Sequence, residues 1–163
     1  ILAGRLRPVR GPFRAELAWV DLPLQPPAAP ERLKELAKGP FWESHNARRT
    51  LAALAAGEQL PTSYRAPLAL WRFGSDLTLV AISGEVVSDY ARVAAEALKG
   101  GPVWVAGYSN QVFGYLPSAR IVREGGYEAL GFPSGPIGLF SEKTEAVIAG
   151  ALRELAQRAA AKR

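Results

Sequence analysis

The chain has 163 residues and 17.5 kDa, the size of one compact domain, and its 48% hydrophobic and 21% charged residues are an ordinary globular composition. It has no cysteine and one histidine, His45, which excludes disulfides, thiolate metal sites, cysteine nucleophiles and any mechanism that needs two histidines from this chain. The formal net charge is +5, but the basic residues fall into loose groups (Arg5, Arg7, Arg10 and Arg14, then Arg48–Arg49) with no interleaved aromatics, so no nucleic-acid partner is expected. No apolar run approaches the roughly 18 residues that a membrane span requires.

There is no methionine, and the chain starts Ile1-Leu2-Ala3-Gly4 without the basic-then-apolar pattern of a signal peptide. The simplest expectation is a processed chain, a recombinant segment or a piece of something longer. In chain order, Phe13 to Val20 alternates apolar residues with Arg14 and Glu16 and predicts a half-buried strand over 14–19. Four prolines between Leu22 and Pro30 predict an extended connector. Pro30 then opens a helix over 31–38, which Gly39-Pro40 stops, and a second helix covers 42–56 with Gly57 as its stop. Residues 60–67 read as a loop. Strands over 68–73 and 77–82 flank Gly74-Ser75-Asp76, a hairpin signal, and the nearly all-apolar second strand reads as central. A helix over 86–98 and a short strand over 103–106 complete a strand-helix-strand unit. Residues 107–138 are rich in Gly, Pro, Ser and Tyr with little periodicity, the kind of long loop that carries function. Ser141 caps a last helix over 141–160, with Glu142 and Glu145 in its first turn and Arg153, Arg158, Lys162 and Arg163 towards its end, an order that suits the helix dipole. The fold class is α/β (mixed α+β), a mixed sheet with helices packed on it, in a single domain over 1–163.

Three places offer chemistry. Ser83-Gly84-Glu85 follows a buried strand, and the carboxyl ends of strands in α/β sheets are where ligands bind. A carboxylate there is placed to bind a metal or act as a base, or else to favour the start of the next helix electrostatically. Tyr108 and Asn110 leave the following strand and reach the same edge if the two strands are parallel. Tyr115 and Tyr127 converge there on the same condition, as ligands or as packing residues with bonded hydroxyls. His45 beside Ser44 is no catalytic dyad, because adjacent helical residues point about 100° apart, and it reads as an exposed or capping histidine.

The segments W-R-F-G-S-D-L-T-L-V-A-I-S-G-E (71–85), V-A-G-Y-S-N-Q-V-F-G-Y (105–115) and E-G-G-Y-E (124–128), in this order and spacing, resemble the neutral ceramidase family. Its members are zinc-dependent amidases that cleave N-acylsphingosine into fatty acid and sphingosine. The Pro-rich segment near 22–30 and P-T-S-Y (61–64) add a likeness to the bacterial ceramidase-like branch. The resemblance implies that Glu85 and Tyr115 are zinc ligands and that Tyr127 supports the reacting carbonyl or its oxyanion, with Asn110 and Tyr108 as further candidates. It also implies a lipid amide substrate entering an apolar cleft lined or lidded by Phe132, Pro133, Ile137, Leu139 and Phe140, and a secreted or periplasmic location. The same residues equally suit packing under the final helix.

The departures bear on activity. The family's two zinc-ligating histidines and its nucleophilic serine lie in the N-terminal half of its catalytic domain, and none of their motifs is here. Val112 stands where an aromatic residue is usual. The resemblance therefore implies the C-terminal part of a ceramidase-like catalytic domain, with the N-terminal half removed or supplied by another chain. Zinc is expected in the complete enzyme and weak or absent in this chain alone, since a zinc site takes three or four protein ligands. The chain is expected to expose an apolar face for that half or for self-association. A non-catalytic domain that binds an anionic partner or a membrane surface is the alternative, and a metal-free hydrolase using Glu85, Tyr115 and Tyr127 is the weakest reading because no nucleophile and base lie together.

Overall fold

A computed structural model describes residue 4 and residues 7–161; Arg5, Lys162 and Arg163 of the basic groups above lie outside the described residues. Strand β1 (Phe13–Pro23) pairs antiparallel with β2 (Ser63–Phe73) along its whole length, from Phe13 opposite Phe73 to Pro23 opposite Ser63. The 74–76 turn reverses the chain into β3 (Leu77–Ile82), closed by Asp76 N–H donating to Phe73 O at 3.0 Å. From β3 the chain passes through the two-residue strand β4 (Glu85–Val86) and helix α1 (Asp89–Ala97) to β5 (Val103–Ala106), which lies parallel to β3 with Thr78 opposite Val103. The sheet order is β1-β2-β3-β5, the expected mixed sheet with its strand-helix-strand crossover.

The two helices between β1 and β2 are αA (Pro30–Leu36) and αB (Phe41–Ala55), which pack on each other. After β5 come β6 (Tyr115–Leu116), the short helix α2 (Ala119–Glu124), one 3-10 turn at Tyr127–Ala129, and the long helix α3 (Lys143–Ala161). Helix α3 covers β1 and β2, and α1 packs against α3 and β5. The core lies between these helices and one face of the sheet, where Val20, Leu22, Leu68, Leu70, Val80 and Ile82 meet Ile148, Leu152 and Leu155. Ser141 Oγ accepts from Lys143 N–H at 3.3 Å at the start of α3, as its cap position predicts.

The boundaries differ where proline was read too strictly. β1 runs on through Leu22-Pro23, which an edge strand tolerates because its outer N–H groups need no partner. β2 begins at Ser63 and includes Pro67, and pairing with β3 starts only at Leu68, so Pro67 has a neighbouring strand on one side alone. The helix expected over 86–98 begins at Asp89 instead. Glu85 and Val86 are extended because they pair with Tyr115 and Leu116, so Glu85 does not sit in the first turn of a helix. The loop over 107–138 holds β6, α2 and the 3-10 turn.

The second face of the sheet carries no helix. Leu17, Ala69, Ala81 and Ala106 form a row of register partners across it, flanked by a row through Trp71, Leu79 and Trp104 and by Trp19 on β1. Leu17, Trp19 and Trp71 are exposed, and Trp104 keeps 63% of its surface accessible. Ala69 and Ala81 in the central row are buried, whereas the large side chains Leu17, Trp19, Trp71 and Trp104 around them stay exposed, so this face presents apolar surface.

Leu152 is fully buried, so Leu152→Ala should destabilise the chain by about 2–5 kcal/mol in denaturant unfolding. Trp104→Ala, on the open face, should change stability by no more than about 1 kcal/mol.

Candidate functional site

The site is built where β3 and β5 end. Because these strands are parallel, the loops that follow leave the same edge of the sheet and lie side by side. Four backbone bonds join them. Tyr108 N–H donates to Gly84 O at 2.7 Å, Ser109 N–H to Ile82 O at 3.1 Å, Gly84 N–H to Gln111 O at 2.8 Å and Glu85 N–H to Gly114 O at 2.8 Å. The buried Ser83 hydroxyl lies 2.8 Å from Pro67 O and 2.9 Å from Ser109 O and ties the edge to β2. Gly84 has φ +79°, and a Cβ there would come 2.7 Å from the Phe113 ring and 2.9 Å from Gly114 O. Only glycine fits this turn and lets the two loops meet.

The result is a parallel pair, β4 with β6, in which Glu85 is the register partner of Tyr115. The phenols of Tyr108 and Tyr115 lie close enough to the Glu85 carboxylate for it to act on both. The Glu85 carboxylate first, then lost solvation and the charge of Tyr115, favour the neutral Tyr108 phenol and push its pKa up to about 12. Tyr115 is raised as well, by lost solvation first and then by the charge and hydrogen bond of Glu85. Tyr127, in the 3-10 turn, sets its ring edge-on to Tyr115 with centroids 5.5 Å apart. The structure thus brings Glu85, Tyr108, Tyr115 and Tyr127 together. Asn110 stands exposed in the same loop at φ +66°, and Tyr108 itself has φ +54°. Two left-handed positions without glycine, separated by Ser109, store strain at this edge, more of it at Tyr108 than at Asn110.

An aromatic flank that the sequence reading passed over extends the site. Trp42, at the start of αB, lies 6.3 Å from Tyr127 and 5.9 Å from Phe132 between ring centroids. The signal was present as Phe41-Trp42 directly after Gly39-Pro40. The five residues named for a cleft separate in the structure. Phe140 is buried in the core, and Phe132 packs on Trp42 and over Gly114. Ile137 and Leu139 line a cavity of about 240 Å³ with Leu33, Leu36, Leu60 and Leu130.

His45 corrects an expectation, because it is buried rather than exposed. Its Nδ1–H donates to Trp42 O at 3.1 Å, whereas the Ser44 hydroxyl donates to Phe41 O, so the two side chains serve different carbonyls and form no dyad. Arg48 and Arg49 likewise hold loop carbonyls: Arg48 reaches Ala37 O, and Arg49 reaches Gly135 O.

The donors at this edge are the Glu85 carboxylate and phenol oxygens, with the Glu128 carboxylate of the 3-10 turn near enough to act on Tyr115. No group of three or more His, Cys, Asp or Glu side chains is assembled among the described residues. A zinc ion takes three or four protein ligands, drawn mainly from His, Cys and carboxylates, so the residues present do not by themselves fit zinc. Among the described residues no helix is long and apolar enough to cross a membrane.

Comparison with known proteins places this architecture in a class. The chain has a ceramidase-like mixed α/β fold: it aligns over 91% of its length with the crystal structure of neutral ceramidase from Pseudomonas aeruginosa, with a TM-score of 0.51 and 19% identity. A second solved structure, a ceramidase complexed with C2, aligns over 60% of the chain with a TM-score of 0.43 and 22% identity. The chain spans 28% of the first of these proteins and 15% of the second. No protein-family model and no curated protein matches the chain.

Replacing Glu85 by Gln removes the charge that favours the neutral phenols. The tyrosinate absorbance titration of Glu85→Gln should show the Tyr108 midpoint falling from about 12 towards the ordinary value near 10. An unchanged titration would mean that the phenols do not face Glu85. Gly84→Ala should lower stability by about 1–3 kcal/mol in denaturant unfolding, because its Cβ collides with the Phe113 ring and its φ becomes strained.

Proposed function

We propose that this chain is the C-terminal portion of the catalytic domain of a zinc-dependent amidase resembling neutral ceramidase, inactive alone, whose complete form hydrolyses a lipid amide of the N-acylsphingosine type. The observation that carries this reading is the side-by-side placement of Glu85 and Tyr115 on β4 and β6, with Tyr127 edge-on to Tyr115. These are the residues that the family resemblance names, and they share one edge of a sheet whose fold matches part of a neutral ceramidase.

In this reading Glu85 and Tyr115 supply two oxygen ligands, and the remaining ligands and the nucleophile come from outside this chain. Tyr127 stands beside the reacting carbonyl and donates a hydrogen bond to its oxygen. The exposed aromatic flank of Trp42 and Tyr127 receives the apolar part of the lipid. The open face of the sheet, with Trp19, Trp71 and Trp104, packs against the rest of the catalytic domain, since monomers rarely leave contiguous apolar patches larger than a few hundred Å².

The test is reconstitution with the segment that bears the missing histidines and serine. The complete protein should hold zinc and hydrolyse the lipid amide, and the chain alone should do neither. Glu85→Gln should lower zinc content and amidase activity together. Tyr127→Phe should leave zinc content unchanged and lower kcat about 10²–10³-fold, the loss that accompanies removal of one oxyanion donor. Full activity in Glu85→Gln would end this reading, and a folded, inactive complete protein would favour the non-catalytic alternative.

By itself the chain should self-associate through its open face. Light scattering should give a mass above 17.5 kDa that falls to that value when Trp19, Trp71 and Trp104 are replaced by serine. A monomer at every concentration would count against the covered-face part of the proposal.

A further inference from the structure

The end of the sheet opposite Glu85 holds a cleft of about 460 Å³, within the size range of small-ligand sites. It lies between the β2–β3 turn, the connection from α1 to β5, and the C-terminal half of α3. Three of its lining side chains are cationic: Arg72 from β2, Lys99 from the α1–β5 connection and Arg153 from α3. They come from three separate elements, so the fold rather than local sequence gathers them.

What points to a ligand is the gathering of these cations in one cleft, with Lys99 and Arg153 exposed and Arg72 half-buried. No described residue forms an ion pair or hydrogen bond with the side chain of Lys99 or Arg153, and Arg72 uses only Nε, on Gly74 O at 3.1 Å. The one carboxylate of the lining, Glu96, is engaged by Arg92 at 3.0 Å. Elsewhere some guanidinium groups are engaged, Arg48 and Arg49 by loop carbonyls and Arg120 and Arg123 by carboxylates, while others such as Arg32 have no hydrogen bond or ion pair to a described residue but line no cleft with other cations. The floor adds neutral donors, the hydroxyls of Ser75 and Thr78, and the backbone N–H groups of Gly100 and Gly101 carry no hydrogen bond to a described residue. A side chain at Gly101 would close this approach, because its Cβ would lie 2.8 Å from Ser75 O. The C-terminal end of α1 brings about half a negative charge to the rim, which three full positive charges outweigh.

We infer that this cleft binds a compact, multiply charged oxyanion of the phosphate class, held by Arg72, Lys99 and Arg153 with Ser75 and Thr78 as neutral donors. Planar guanidinium forks match phosphate oxygens in geometry, and several cations lining one cleft favour a dianion or higher over a single carboxylate. The inference rests on the cleft alone and stands whether or not the amidase reading does. The phosphate group has two possible sources, a soluble phosphorylated molecule and a lipid headgroup.

The experiment titrates the full chain with inorganic pyrophosphate, and with acetate at matched ionic strength, by calorimetry. A parallel arm measures sedimentation with phosphatidylcholine vesicles that contain or lack a phosphomonoester lipid. Arg153→Ala and Lys99→Ala probe the cleft, and Arg32→Ala, on αA, controls for the general positive charge. Circular dichroism checks that each variant is folded. Saturable pyrophosphate binding that weakens at least tenfold in the cleft variants and is unchanged in Arg32→Ala supports the inference and assigns a soluble ligand. Vesicle binding with the same variant pattern, without pyrophosphate binding, supports it and assigns a headgroup. No saturable binding in either arm, binding of acetate as tight as that of pyrophosphate, or equal losses in Arg32→Ala and Arg153→Ala would overturn it.

Discussion

The parallel pairing of β3 with β5 is the constraint from which the rest of the architecture follows. A parallel pair forces a crossover, so α1 must travel back over the sheet and find its place against α3. The same pairing sends both following loops off one edge, where backbone bonds to and from Gly84 and Glu85 lock them together. β4 and β6 are a small second parallel pair that inherits its direction from the first. Had β5 run antiparallel to β3, Glu85 and Tyr115 would leave opposite ends of the sheet, and neither the carboxylate-phenol cluster nor the edge-on Tyr127 would exist.

The two ends of the sheet divide the polar chemistry between them. At the carboxyl end of β3 the Glu85 carboxylate lies among phenols whose pKa values are raised by it and by lost solvation, and aromatic rings flank the cluster. At the other end cations gather around glycines and hydroxyls. The helices that pack on the sheet reinforce this separation, because α1 runs from one end to the other with Asp89 in its first turn, paired with Arg120, and Lys99 just past its last. The open face between these ends is apolar and uncharged along its central row of Leu17, Ala69, Ala81 and Ala106.

Much of this was legible in the sequence because the signals were local. Alternation in 13–20, the Gly-Ser-Asp turn at 74–76 and the apolar run 77–82 each describe one strand or turn, and the structure keeps them. What could not be read were features that exist only through distant partners. Glu85-Val86 looks like the opening of a helix until Tyr115-Leu116 arrives to pair with it. Prolines 23 and 67 look like breakers until the absence of a strand on one side makes them harmless. His45 looks solvent-facing on a polar stretch of helix, yet the packed surroundings of αB bury it. The site residues are picked out by their place after two strands of a strand-helix-strand unit and given roles by resemblance of motifs, while the joining of their loops by backbone bonds, and the Trp42 flank, belong to tertiary structure alone.

One contact has a consequence for the order of events in folding. Arg158, near the end of α3, donates to Leu17 O of β1 at 3.1 Å across 141 residues of sequence, and α3 is the helix that covers this strand. β1 emerges from the ribosome long before the helix that shelters its inner face. Until α3 docks, the long edge strand has an unpaired flank and two uncovered surfaces, with only β2 to hold it. Contacts of such sequence separation are slow to form, because the loop must close before the contact rewards it. The interval between synthesis of β1 and docking of α3 is therefore when this chain is most open to pairing with the wrong strand, and a chaperone that recognises extended apolar segments would act on it then.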